Sequence, residues 1–156
     1  MLKKVTPKMV RRTGGRFAIV ASRYNGQYVN AMVRAAERTL KGAGGRVEVV
    51  RVPGAFEIPA VAARLATGDF DAVICLGVIL RGATTHAQHI GEAVTNALVL
   101  LQVKHQLPVI HEVLLLENEE QARDRCLSPK HNRGIEAAQT ALEMAALMRR
   151  LGAAAK

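Results

Sequence analysis

The sequence predicts a three-layer α/β fold, a four-stranded parallel sheet flanked by helices on both faces. Two observations carry that prediction. Short apolar runs of strand length alternate with longer stretches of helical periodicity, the rhythm of right-handed βαβ crossovers. One run, DAVICLGVIL at 71–80, is almost continuously apolar, as a parallel strand covered on both faces must be.

The elements follow in order. RFAIVAS (16–22) reads as the first strand and ends in a loop at Tyr24-Asn25-Gly26. Val29, Met32, Val33, Ala36 and Leu40 then recur on one helical face, and KGAGG (41–45) stops that helix with glycines suited to a left-handed cap. RVEVVRV (46–52) is a second strand ending at Pro53-Gly54. Within 55–66 the later part is helical, with Pro59 tolerable near the first turn. The third strand is the apolar run at 71–80. Ile90, Val94, Ala97, Leu98 and Leu101 mark a helix from Thr85 to about Gln106, and PVIHEVLLL (108–116) is the fourth strand. Asn118 and Gln121 have capping-box spacing and open a short helix through Arg125. A last helix runs from about Asn132 to Leu151. Together these make the doubly wound, flavodoxin-like class. Ile135, Ala138, Leu142 and Ala145 form one apolar stripe of the last helix, and Ala141, Met144, Met148 and Leu151 a second. So wide a face predicts that part of it is buried by a neighbouring subunit, and therefore a homo-oligomer.

A chain of 156 residues with 49% apolar and 22% charged side chains suits one globular domain. The expected division is a basic arm over 1–15, the α/β domain over 16–152 and a tail over 153–156. The net charge of +9 is concentrated at the start: Lys3, Lys4, Lys8, Arg11, Arg12 and Arg16 precede any acid, which leaves +3 for the rest. Such an arm is ordinarily solvated, and the interleaved aromatics of single-strand binders are missing, which weighs against nucleic acid. No apolar run approaches the roughly 20 residues that span a bilayer, and no signal-peptide pattern is present; no membrane association and a cytoplasmic protein are expected. Cys75 and Cys126 lack the spacing of a zinc site or a disulfide framework.

In open α/β sheets ligands bind beyond the carboxyl ends of the strands, which selects the loops at 22–27, 53–57, 80–86 and 111–118. In RGATTH (81–86), Gly82 permits close backbone approach, and Thr85 and Gln88 have capping-box spacing at a helix start suited to a phosphate. His86 follows in the first turn, either an imidazole able to accept and return a proton near pH 7 or a histidine that merely caps the helix or lies in solvent. His86, His89 and Glu92 do not have the i, i+4 spacing of zinc helices, and no metal site is expected. In PGAFE (53–57), Phe56 and Glu57 follow a tight turn and suit a polar ligand, or a turn with the ring in the core. Tyr24 can stack on a flat heterocycle or cover the sheet edge. Arg125 and Arg133 flank the polar CLSPKHN segment and suit an anion or solvent.

The set RYN (23–25), VPGAFEIP (52–59), DAVICLGVILRGATTH (71–86), ENEEQARDR (117–125) and NRGIEAAQTALEMA (132–145) closely resembles the lumazine synthase family, over about residues 16–148. The resemblance implies condensation of 5-amino-6-(D-ribitylamino)uracil with 3,4-dihydroxy-2-butanone 4-phosphate to 6,7-dimethyl-8-ribityllumazine, phosphate and water, with no metal or redox cofactor. It implies that Tyr24 stacks on the pyrimidinedione and that Ala55, Phe56 and Glu57 hold the ribityl chain and ring. Val78, Ile79 and Leu80 would line the ring pocket, and Ala83, Thr84 and Arg125 would hold the phosphate. Arg133 stands for a common lysine there, and His86 would move protons. His111 replaces an aromatic Phe over the pyrimidine and can still stack, while Glu112, Leu115 and Leu116 change the local polarity. The resemblance further implies small-molecule substrates, a pentamer with active sites between adjacent subunits, and association with riboflavin synthase. The short CLSPKH linker (126–131) permits a 60-mer of twelve pentamers. A second reading, a catalytically weakened scaffold or ligand-binding relative that keeps the oligomeric shell, rests on His111 and Glu112.

Overall fold

Alternating side-chain direction along three buried strands decides the layering. The computed structural model describes residues 12–154; the basic arm falls outside them except for 12–15, as do the last two tail residues. Strands β1 (Arg16–Ser22), β2 (Arg46–Val52), β3 (Ala72–Leu80) and β4 (Val109–Leu116) pair in parallel in the order β2-β1-β3-β4. Val20 lies opposite Cys75, and Cys75 opposite His111. Phe17, Ile19, Ile74 and Leu76 face one side, where α1 (Gly26–Gly42) and α5 (Arg133–Ala154) cover them through Tyr28, Met32, Leu40, Ala137 and Ala141. Ala18, Val20, Val73 and Cys75 face the other side, under Ile58 and Ala62 of α2 (Ile58–Leu65) and Val94 and Leu98 of α3 (His86–His105). This is the three-layer, flavodoxin-like arrangement expected.

Local chemistry sets most boundaries. Gly44 adopts φ +82° just past α1, and Pro59 falls in the first turn of α2, where its missing N–H costs nothing. Asn132 Oδ1 accepts from Gly134 N–H at 2.8 Å and caps α5. Asn118, extended at φ −159°, accepts from Gln121 N–H at 3.0 Å, but Gln121 Oε1 turns to Glu117 N–H instead of closing a box on Asn118. The helix expected through Arg125 stays α-helical only over α4 (Glu119–Ala122) and widens into a π turn over Arg123–Leu127.

One capping expectation is corrected. Thr85 caps α3 with no side-chain hydrogen bond, because its near-helical backbone (φ −76°, ψ 1°) lacks the extended geometry that aims a cap hydroxyl inward. Its hydroxyl meets His89 Nε2 at 3.3 Å, and Gln88 bonds Glu92 at 2.9 Å. On α5, Ala138 and Ala141 are fully buried within the subunit, and Ala145 and Leu142 nearly so, whereas Met144 and Met148 are half-buried and Leu151 is exposed. Small residues let α5 settle close on α1, which covers one apolar stripe and leaves the end of the other open. A further uncovered apolar group lies on α3, where Val99, Leu100 and Val103 are 50%, 68% and 63% exposed.

Candidate active site

Strand order reverses between β1 and β3, so their carboxyl ends splay apart and leave a crevice at the switch point. A cavity of about 830 Å³ opens there. The β1–α1 loop contributes Tyr24 and Asn25, the β2–α2 turn Gly54, Ala55, Phe56 and Glu57, and the end of β3 Val78, Ile79 and Leu80. Helix α3 adds His86, His89, Ile90 and Ala93. Tyr24 and Phe56 are 71% and 62% exposed, large rings held in solvent where a flat ligand can meet them.

The loops are braced against each other. Asn25 sits in the left-handed region at φ 55°, and its Nδ2 donates to Val78 O at 2.7 Å, tying the β1 exit to the end of β3. No role for Asn25 follows from residue type alone; the signal in the sequence is an Asn before Gly at a strand exit. Glu57 Oε2 accepts Gly54 N–H at 2.9 Å, which fixes the PGAFE turn and leaves Oε1 for a ligand. A Cβ at Gly54 would stand 3.0 Å from that oxygen and 3.1 Å from the Tyr24 ring, so glycine lets ring and carboxylate converge without either giving way.

The remaining sequence-predicted residues lie apart from this cavity in the subunit. Ala83 and Thr84 occupy the exposed loop before α3, where Thr84 Oγ1 accepts His86 N–H at 3.4 Å. His111 and Glu112 point to opposite faces of β4. His111 Nδ1 accepts Val113 N–H at 3.1 Å, so Nε2 carries the proton, 2.7 Å from Thr95 Oγ1. Burial lowers its pKa, consistent with a neutral ring fixed at both nitrogens. Stacking by this imidazole therefore has to use the ring face as it stands, without rotation.

Glu112 lies under α5 and receives both Nε and Nη2 of Arg133 at 3.1 Å, a bidentate pair, while Arg133 Nη1 reaches Glu136 at 2.6 Å. Burial holds the Glu112 carboxyl above its usual range, and Arg133 pulls the other way. Three of the five Arg133 N–H donors are thus taken by carboxylates, and a quarter of the side chain stays exposed. Replacing Glu112 with Ala is expected to cost about 1–3 kcal/mol, because Arg133 keeps only the more exposed Glu136; a urea midpoint unchanged from the parent protein would sink that account. Arg125, in the π turn, has its Nε buried without a hydrogen-bond partner among the described residues. Cys75 and Cys126 are free, buried thiols pushed up to about 12 by desolvation, which makes them poor nucleophiles. Among the described residues no group of three or more His, Cys, Asp or Glu side chains could hold a metal ion.

A largely apolar crevice at a switch point, with a few converging polar side chains, defines an α/β protein built to bind a small organic molecule. The model of the 6,7-dimethyl-8-ribityllumazine synthase family matches residues 14–149. The 6,7-dimethyl-8-ribityllumazine synthase of Xanthomonas campestris pv. campestris strain B100 is 40% identical over 143 residues, covering 89% of this chain and 93% of that protein. That of Stenotrophomonas maltophilia strain R551-3 is 39% identical over 140 residues, covering 87% and 90%. The chain belongs to the 6,7-dimethyl-8-ribityllumazine synthase family, whose members are transferases.

Proposed function

We propose that this chain condenses 5-amino-6-(D-ribitylamino)uracil with 3,4-dihydroxy-2-butanone 4-phosphate in riboflavin biosynthesis. The observation that carries the reading is the gathering of Tyr24, Ala55, Phe56, Glu57, Val78, Ile79, Leu80 and His86 around one cavity by two loops, the end of β3 and the start of α3. The uracil amine attacks the ketone and water leaves as the imine forms. Phosphate departs, and the ribityl-bearing nitrogen closes the second ring with loss of another water. Each step needs protons moved and two partners held in register, and neither demand requires strong electrophilic assistance. Tyr24 and Phe56 take the flat ring, the free Glu57 oxygen takes hydroxyls, and His86 moves protons. The α3 start, with Ala83 and Thr84, takes the phosphate.

His111, Arg125 and Arg133 enter the proposal as groups offered to a neighbouring subunit's cavity, which fits their distance from their own. The family implies small-molecule substrates and an oligomeric assembly, and the exposed Val99, Leu100 and Val103 supply apolar surface for contact between copies. A pentamer, a 60-mer of twelve pentamers, association with riboflavin synthase and a cytoplasmic location complete the proposal. No helix among the described residues is long and apolar enough to cross a membrane. A second reading, a weakened relative that keeps the assembly, is favoured by one feature: Glu112 and Glu136 take three of the five donors of the Arg133 guanidinium that would otherwise meet phosphate.

Lumazine fluorescence separates the two. Mixed with both substrates, the purified chain is expected to form lumazine well above the protein-free rate. A rate equal to that control, from folded protein, would leave only the second reading.

A further inference from the structure

Beyond the residues to which the family resemblance gives roles, the cavity holds a second imidazole. His89 lies one helical turn beyond His86 on the same face of α3, a spacing that sets their Cβ atoms roughly 5–6 Å apart. Its Nε2 is 3.3 Å from Thr85 Oγ1, which can donate or accept, and this contact steadies the ring. Nδ1 takes no protein partner among the described residues. The same cavity is lined by apolar Ile90 and Ala93 of α3 and Ile79 of β3. Of the cavity's other hydrogen-bonding side chains, Asn25 is spent on Val78 O and Glu57 is half spent on Gly54 N–H. In an apolar cavity, a few placed polar groups decide which ligand is accepted and how it lies.

We infer that His89 is a specificity-determining residue that hydrogen-bonds the ribitylaminouracil, the substrate without a phosphate. The inference rests on the proposed function and on the direction of α3. Its first turn is the anion end, His86 stands at the reacting centre, and His89 lies on the far side of His86 from that end. Thr85 lets the ring answer a carbonyl, an amide N–H or a hydroxyl, because Nδ1 accepts when Nε2 is protonated and donates when it is not.

The test uses the full chain and its His89→Ala, His89→Gln and His89→Phe variants, with binding of ribitylaminouracil alone followed by calorimetry. The expected result is a Kd raised roughly five- to tenfold in the Ala and Phe variants, the loss of one neutral hydrogen bond. The Gln variant should stay within about threefold of the parent. In steady state, KM for ribitylaminouracil rises by the same factor, while kcat and KM for the phosphate substrate stay within about twofold. Unchanged Kd in the Ala variant, or an equal rise in both KM values, overturns the inference. If the unsubstituted protein forms no lumazine, the functional reading fails, and the calorimetric series still decides His89. His89 is exposed on its helix, and far-UV circular dichroism checks that each variant is folded.

Discussion

Replacing Gly134 with alanine is expected to destabilise the protein by more than about 3 kcal/mol, a large loss for the addition of one methyl group. Gly134 opens α5 where that helix crosses α1. A Cβ there would collide with the carbonyl oxygen of Met32 and stand 2.7 Å from that residue's carbonyl carbon and Cα. All three are backbone atoms in the middle of a helix, so no side-chain rotation relieves the clash. Either α1 or α5 has to move away. Moving either one opens the packing of Met32 and Leu40 against Ala137 and Ala141, all fully buried. Gly152, near the other end of α5, has nothing within 4 Å of its Cβ position. Gly152→Ala is the control, and should be neutral or gain up to about 1 kcal/mol from helix propensity. For a chain of this length the Gly134 loss corresponds to a fall in Tm of at least about 6 °C. A shift below about 2 °C, at matched protein concentration, would mean that the crossing is looser than its geometry implies.

That crossing shows where sequence reading stops. Strands β1 and β3 were legible because burial on both faces leaves no room for polar alternation, and their bounds fell within a residue of those expected. Helix α5 was legible as a helix, but the use of its apolar face was not. Periodicity counts apolar positions without saying how near a partner helix comes, and nearness here depends on Gly134 and a row of alanines. The capping expectation at Thr85 failed for a related reason: the residue type is right, but the backbone angle that aims the hydroxyl is set by the loop leaving β3.

The site divides along the same line. Residues at the carboxyl edge of β1, β2 and β3 could be collected from topology and motif alone, and all but Ala83 and Thr84 meet around one cavity. His111 and Glu112 were visible as departures, yet their consequences depend on neighbours distant in sequence. His111 is fixed by Thr95, sixteen residues before it, and Glu112 by Arg133, twenty-one residues after it. Asn25 needed the structure because its importance lies in a bond to a backbone carbonyl, which no residue type announces.

His86→Ala should slow lumazine formation about ten- to a hundredfold, a barrier increase of roughly 1.4–2.7 kcal/mol. The size follows from how the work is divided. Holding amine and ketone together replaces an encounter in solution, and the groups that do so (Tyr24, Phe56, Glu57 and the loop before α3) are untouched by the change. What disappears is one imidazole at the first residue of α3, where the chain leaves an exposed loop and enters the cavity wall. Proton transfers then fall to solvent, which is slower but available. The loss should therefore appear in kcat with little change in either KM, and the residual rate should still exceed the protein-free rate. Added imidazole should restore part of the rate, because truncation leaves room beside Tyr24 and Phe56 for the missing ring. A rate equal to the parent's would remove His86 from the chemistry. A fall to the protein-free rate, with folded protein, would show that the imidazole does more than carry protons, and that orientation alone supplies less of the acceleration than the cavity suggests.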